Sequence, residues 1–283
     1  MKDIRSEIRN IRANWGYKLQ PLLVNKALEH GFLRGRQDYT RFIILGRSRT
    51  GSNFLRGLLN SHDQVLVFGE IFQNKNTIGW AMPGYSNNDR LMLEFHQEPV
   101  KFIENRVYKK FPANIRAVGF KIFYYHAHDD AWLPIWDYLR QHRELKILHI
   151  TRQNMLRTHL SRKLATATDT WVDTSGNASR PKSVRLDYSE CLQDFEQTWD
   201  WQQEYAHFFA EHDLMEIVYE DLATDYRPVM LNVLTFLGAE PNLDLIKPET
   251  YKQAQTPLST AIENYQDLKT SFINTRWASF FEE

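Results

Sequence analysis

Five short apolar runs recur along the chain. They are Phe42-Ile43-Ile44-Leu45, Val65-Leu66-Val67-Phe68, Val118 to Phe123, Leu145 to Ile150, and Met215 to Tyr219. Runs that are continuous rather than alternating suit strands covered on both faces. Between them, apolar residues recur at helical spacing, as with Phe54, Leu55, Leu58 and Leu59. Further helices are expected over 100–110, 132–141, 153–166 and 188–211, with one more through Phe236. Strands alternating with helices predict an α/β protein with a mostly parallel central sheet flanked by helices on both faces.

Three stretches stand apart from this rhythm. Residues 1–40 carry Ile4, Ile8, Ile11 and Trp15, the spacing of an N-terminal helical extension. Residues 73–99 hold Gly79, Pro83, Gly84, Ser86, Asn87 and Asn88, and 168–187 hold Gly176 and Pro181. Both read as loop-rich insertions. No repeat, low-complexity tract or linker divides the chain, so residues 1–283 are expected to form a single domain.

Charge sharpens this outline. The chain has 35 basic and 35 acidic residues and no formal net charge. That balance argues against a general polyanion binder, so no nucleic-acid polymer is expected as partner. The one cysteine, Cys191, excludes a disulfide framework and a cysteine-based metal cluster. No signal-like N-terminal core and no run of about 18 apolar residues is found, so no membrane span is expected and the cytoplasm is the default location. The neutral total hides an uneven distribution. Segments 41–62 and 145–168 together carry nine basic side chains and no acid, leaving 26 basic residues elsewhere to face all 35 acidic ones.

The first basic segment contains Gly46-Arg47-Ser48-Arg49-Thr50-Gly51-Ser52-Asn53 between an expected strand and an expected helix. Two glycines at this G-x-x-x-x-G spacing let the backbone curl so that several N–H groups address one anion, beside the positive end of a helix. The fold therefore reads as a P-loop-type three-layer arrangement. The Lys-Ser/Thr pair of a nucleotide triphosphatase is replaced by Ser52-Asn53, and no acid stands where a magnesium-holding carboxylate would. Arg47 and Arg49 supply charge from within the loop instead.

Arg49-Thr50-Gly51-Ser52-Asn53-Phe54-Leu55 resembles the phosphosulfate-binding loop of sulfotransferases that use 3′-phosphoadenosine-5′-phosphosulfate (PAPS), Asn53 standing where the family usually has a hydroxyl residue. The second basic segment extends the resemblance. Arg152 follows the fourth strand and Ser161 lies on the next helix, as do the family residues that hold the 3′-phosphate. The R-x-N-x-L-R context is similar to the bacterial carbohydrate and glycolipid branch. The resemblance implies PAPS as donor and no metal. Arg47 to Asn53, Arg152 and Ser161 are then the candidate nucleotide-binding residues, with Arg49 also stabilising the leaving phosphate. Transfer to an acceptor hydroxyl would proceed through a loose, in-line transition state, as in phosphoryl transfer.

A base is then required. Glu70 ends the second strand, on the sheet edge where parallel α/β folds place ligands. Phe68-Gly69-Glu70 also resembles the position of the catalytic glutamate in glycan sulfotransferases. His126, just past the third strand, is the alternative base. His126, His128 and Asp129 could also suggest a metal site, though no further ligand cluster supports one. Trp80, Met82, Tyr85 and Trp171, in the two insertions, offer surfaces to a sugar or aliphatic acceptor. Lys252 is a candidate for closing over the nucleotide. The competing readings are a P-loop kinase, against which the residue at Ser52 counts, and a non-catalytic nucleotide-binding scaffold, against which Glu70 counts.

Overall fold

The computed structural model describes residues 27–28, 32, 34–168, 183–248 and 256–282. The expected helix at 4–15, Trp171 and Lys252 lie outside them.

All five apolar runs are strands: β1 (Thr40–Gly46), β2 (Val65–Glu70), β3 (Ala117–Phe123), β4 (Lys146–Thr151) and β5 (Leu214–Val218). They form one sheet in the order β2-β3-β1-β4-β5, and every neighbouring pair is parallel. The principal helices are α1 (Ser52–Asn60), α2 (Asp89–Gln97), α3 (Pro134–Gln141), α4 (Met155–Thr168), α5 (Tyr188–Phe208), α6 (Tyr226–Leu237) and α7 (Tyr265–Phe272). A small antiparallel pair, Gly35–Arg36 with Phe111–Pro112, sits apart from the sheet.

The central strand shows why the runs are continuous. Ile43 and Leu45 join the core on one face, with Phe68, Phe120 and Ile147. Phe42 and Ile44 join the core on the other, with Leu55, Leu58, Ile217 and Leu234. All four β1 residues are fully buried, each such side chain contributing about 1.5–3 kcal/mol of transfer free energy. A third cluster packs α4 and α5 against the C-terminal segment, through Leu156, Phe195, Phe272 and Trp277.

Two expectations are corrected. The 73–99 insertion is not all loop, because α2 occupies its second half. Asn88 caps that helix by accepting from the Leu91 N–H at 2.9 Å, the usual use of asparagine at a helix start. The expected helix through Phe236 is two helices, Tyr219–Thr224 and α6, separated by Asp225, whose carboxylate caps α6.

Parallel strands put all five C-terminal ends on one edge, and contacts between the following loops draw them together. The Tyr124 N–H donates to the Gly46 carbonyl at 3.1 Å. The Arg152 guanidinium donates to the Arg49 carbonyl at 3.3 Å. The Tyr219 ring crowds Gly51, where an added Cβ would lie 2.2 Å from the ring. Gly51 also has φ of 83° and heads α1, so glycine is required there on both counts.

Candidate functional site

The loop after β1 turns tightly into α1. The Thr50 hydroxyl donates to the Arg47 carbonyl at 2.7 Å, and Arg49 takes a left-handed conformation with φ of 70°. Strain at a bulky residue is tolerated where surroundings enforce it, commonly at sites that act on ligands. No side chain caps the start of α1 and no acid occupies its first turn. The positive end of the helix dipole is thus not offset by an acid in its first turn, which suits an anion.

The second basic segment meets this loop. Arg49 donates through Nε to the Ser161 hydroxyl at 2.8 Å. Arg152 lies with its guanidinium 4.6 Å from the Tyr219 ring centroid. Its Nε is buried without a hydrogen-bond partner, the Glu220 carboxylate being 3.9 Å away. Burial lowers the Arg152 pKa, although Tyr219 and Glu220 partly restore it. Glu220 itself accepts from the Gln153 and Asn154 N–H groups at 3.1 and 3.3 Å, which fixes the turn leading into α4. Arg49 is therefore a neighbour of both Arg152 and Ser161, 103 and 112 positions away in sequence.

Arg47 behaves differently. It is only 8% exposed. Its guanidinium donates to the Asp194 carboxylate at 2.5 Å and to the Asp194 carbonyl at 3.1 Å, and it also bonds Thr198. Arg162 bonds the same carboxylate, and His159 Nδ1 lies 3.2 Å from it. Burial alone would raise the Asp194 pKa. His159, Arg162 and Arg47 together hold it far below the carboxylate range. The guanidinium of Arg47 thus anchors the loop to α5, and Ser48 is tied to Tyr125, whose hydroxyl accepts its N–H at 3.3 Å.

Glu70 stands at the end of β2 beside a register shift between Phe68 and Glu70, which pairs Glu70 with Lys121 of β3. Such irregularities re-aim a side chain at a strand end. Lys121 is 1% exposed. Its ammonium donates to Glu70 Oε1 at 2.8 Å and to Asn53 Oδ1 at 2.7 Å, joining the strand end to the first turn of α1. Burial lowers the Lys121 pKa, and Glu70 opposes that shift. Gly79 lets the following insertion close over this corner, since a Cβ there would meet the Glu70 carbonyl at 2.0 Å.

His126 is 4% exposed, and its Nδ1 accepts the Phe123 N–H at 3.2 Å. The lone pair at Nδ1 is therefore occupied, and the proton of the neutral ring belongs on Nε2. Burial, against a smaller opposing effect of Glu70, pushes its pKa down to about 4. The neighbouring His128 bonds the Tyr124 carbonyl and Tyr205, and Asp129 pairs with Lys75. Among the described residues no three His, Cys, Asp or Glu side chains gather as a metal site would require.

Of the aromatic acceptor candidates, Trp80 is 5% exposed and packs into the core against Phe68 and Phe102. Tyr85 is half-buried against Phe68 and Trp80. Both serve as anchors of the 73–99 segment. Lys121, Asp194 and Tyr125 were not singled out as site residues from the sequence. Only Lys121 carried a signal, a lone charge inside an apolar strand that must find a buried partner.

A curled basic loop leading into an uncapped helix start, with a carboxylate at another strand end on the same sheet edge, is an arrangement in which an α/β protein can hold an anion. Residues 41–242 match the model of the sulfotransferase family, and the chain belongs to that family. It is 28% identical over 251 residues to Nodulation protein H of Rhizobium meliloti strain 1021, covering 85% of this chain and 94% of that protein. To Nodulation protein H of Rhizobium tropici it is 27% identical over 244 residues, covering 85% and 92%. A sulfotransferase structure from Alicyclobacillus acidocaldarius aligns over 85% of this chain and 93% of that one, with 16% identity and a TM-score of 0.46. Among the described residues no helix is long and apolar enough to cross a membrane.

Proposed function

We propose that this sulfotransferase uses PAPS as donor and a carbohydrate or glycolipid hydroxyl as acceptor, with Glu70 as general base. The observation that carries the reading is one sheet edge where the basic loop is flanked by Arg152 on one side and, through Lys121 and Asn53, by Glu70 on the other. The residues fit a doubly phosphorylated nucleotide. Arg152 offers a buried Nε that has no hydrogen-bond partner among the described residues, the start of α1 offers N–H groups, and Arg49 leans on Ser161. The loop N–H groups and Arg49 would hold the 5′ side, and Arg152 with Ser161 the 3′-phosphate.

The donor supplies the sulfuryl group, which leaves its phosphosulfate oxygen as the acceptor oxygen bonds to sulfur. Glu70 accepts the proton of that hydroxyl. Lys121 keeps the carboxylate in one orientation and links it to Asn53, so base and loop move as a unit. Such positioning, with charge stabilisation from the loop, is the protein's contribution in a loose transition state. His126 is the weaker base candidate, with Nδ1 occupied by a backbone N–H and burial holding the ring neutral.

The test is transfer of labelled sulfate from PAPS to a panel of oligosaccharides and glycolipids. Sugar-dependent labelled product is expected from the wild-type protein. Glu70→Gln should lose at least about a hundredfold in kcat, as removal of a general base does, while retaining affinity for 3′-phosphoadenosine-5′-phosphate (PAP). Wild-type turnover in that variant would refute Glu70 as base. Absence of transfer to any sugar, with transfer to another hydroxyl class, would refute the acceptor assignment.

A further inference from the structure

β3 ends in Phe123, and the chain turns through Tyr124, Tyr125 and His126. Phe123, Tyr124 and His126 are buried, whereas Tyr125 is 42% exposed. It is nevertheless held on several sides. Its ring centroid lies 5.8 Å from Phe123, 5.7 Å from Trp201 and 5.1 Å from His126, the last edge to face. Its hydroxyl accepts the Ser48 N–H. A ring so fixed presents an apolar surface to solvent without a packing reason for doing so.

Its location gives that surface a use. Ser48 belongs to the basic loop. The Phe123 ring centroid lies 5.1 Å from the Lys121 ammonium, which bonds Glu70. Tyr125 therefore touches the proposed donor loop directly, and Phe123 stands between it and the lysine that bonds the proposed base. Its polar surroundings are the Ser48 backbone that it bonds and the Arg47 guanidinium, 5.3 Å from the ring centroid of the neighbouring Trp201. A ligand meeting this surface needs an apolar face and polar edges, which is the character of a pyranose ring. Its C–H hydrogens complement the negative face of an aromatic ring, and its hydroxyls reach the polar rim.

Resting on the carbohydrate reading above, we infer that Tyr125 is the platform on which a sugar ring of the acceptor stacks, with Trp201 extending its edge. The hydrogen bond to Ser48 couples the platform's orientation to the loop.

The experiment compares wild-type protein, Tyr125→Phe and Tyr125→Ala, with chitotetraose and octyl β-glucoside as probes. Saturation-transfer NMR reads contact with sugar C–H protons, acceptor KM and kcat are read with PAPS as donor, and calorimetry reads PAP affinity. Tyr125→Ala is expected to raise the acceptor KM about fivefold to tenfold, as for loss of one aromatic stack, and to weaken C–H saturation in proportion. PAP affinity should fall by less than the acceptor KM rises in Tyr125→Ala, and Tyr125→Phe, which loses only the bond to Ser48, should retain most of the sugar contact. Equal sugar binding in wild type and Tyr125→Ala would overturn the platform while leaving the sulfotransferase reading intact. So would a parallel loss of PAP affinity and melting temperature, which would mark a structural role. If the wild type binds PAP but transfers only to a phenol such as 2-naphthol, the carbohydrate reading fails and the platform with it.

Discussion

Arg47 and Arg49 stand two residues apart in one loop, and the fold uses them in opposite ways. Arg47 reaches α5, where Asp194 takes charge from Arg47 and Arg162 at once. Arg49 reaches the hydroxyl of Ser161 and offers its carbonyl to Arg152. The first arrangement is a buried staple that sets where the loop lies. The second joins the loop to Ser161 of α4 and to Arg152. Identical residue types in one motif thus reach different helices, Arg47 an acid of α5 and Arg49 a hydroxyl of α4. The basic segments as a whole divide in the same way. Arg41 pairs with Glu104, Lys163 with Glu190 and Lys146 with Asp213, so much of the apparent excess is neutralised locally.

The contrast predicts which substitutions unfold the protein and which disarm it. Asp194→Ala leaves the buried Arg47 and the partly buried Arg162 guanidinium groups without their carboxylate. It should destabilise the fold by about 3–5 kcal/mol, read as the loss in denaturant unfolding. A loss below about 1 kcal/mol would mean that the cluster is not a staple.

Acid should act next. The folded pKa of His126 is depressed to about 4 from an ordinary value of 6.5. Its unfolded form thus binds the extra proton first as pH falls. The stability tied to the neutral ring is complete above pH 6.5 and is lost as pH falls toward 4, about 3 kcal/mol in all. Unfolding curves across that range should show the decline, and His126→Gln should flatten it. An identical decline in the variant would assign the acid sensitivity elsewhere.

Arg49→Ala should do the reverse of the Asp194 variant. Unfolding free energy should change less than in the Asp194 variant, because Ser161, which accepts from Arg49 Nε, is uncharged and its lost bond leaves no buried charge unpaired. PAP affinity should fall about tenfold to a hundredfold, the equivalent of one or two charge-assisted contacts. Calorimetry and melting on one preparation separate the two effects.

The sheet was legible because buried parallel strands demand unbroken apolar runs, and each of the five runs is a strand. The loop and Glu70 were legible because glycine spacing and strand ends carry positional meaning. Lys121 was passed over as a strand residue, since the sequence does not show that β2 shifts register and brings Glu70 beside it. Asp194 lay hidden in a long amphipathic helix, where one acid among several has no local mark. Trp80 was read as a ligand surface because its neighbours are loop-forming residues. In the fold that loop turns back and buries the ring against Phe68. Long-range packing decides all three, and local pattern carries none of it.

The smallest predicted effect bears most directly on the central claim, that Arg152 and the loop after β1 form one site for a doubly phosphorylated nucleotide. PAP, adenosine 5′-phosphate and ATP with magnesium should be titrated calorimetrically into the wild-type protein and Arg152→Ala. The wild type should prefer PAP over either competitor by at least about tenfold, and Arg152→Ala should bring PAP and adenosine 5′-phosphate to near parity. Equal or tighter binding of ATP with magnesium, or an unchanged preference for PAP in Arg152→Ala, would contradict the account.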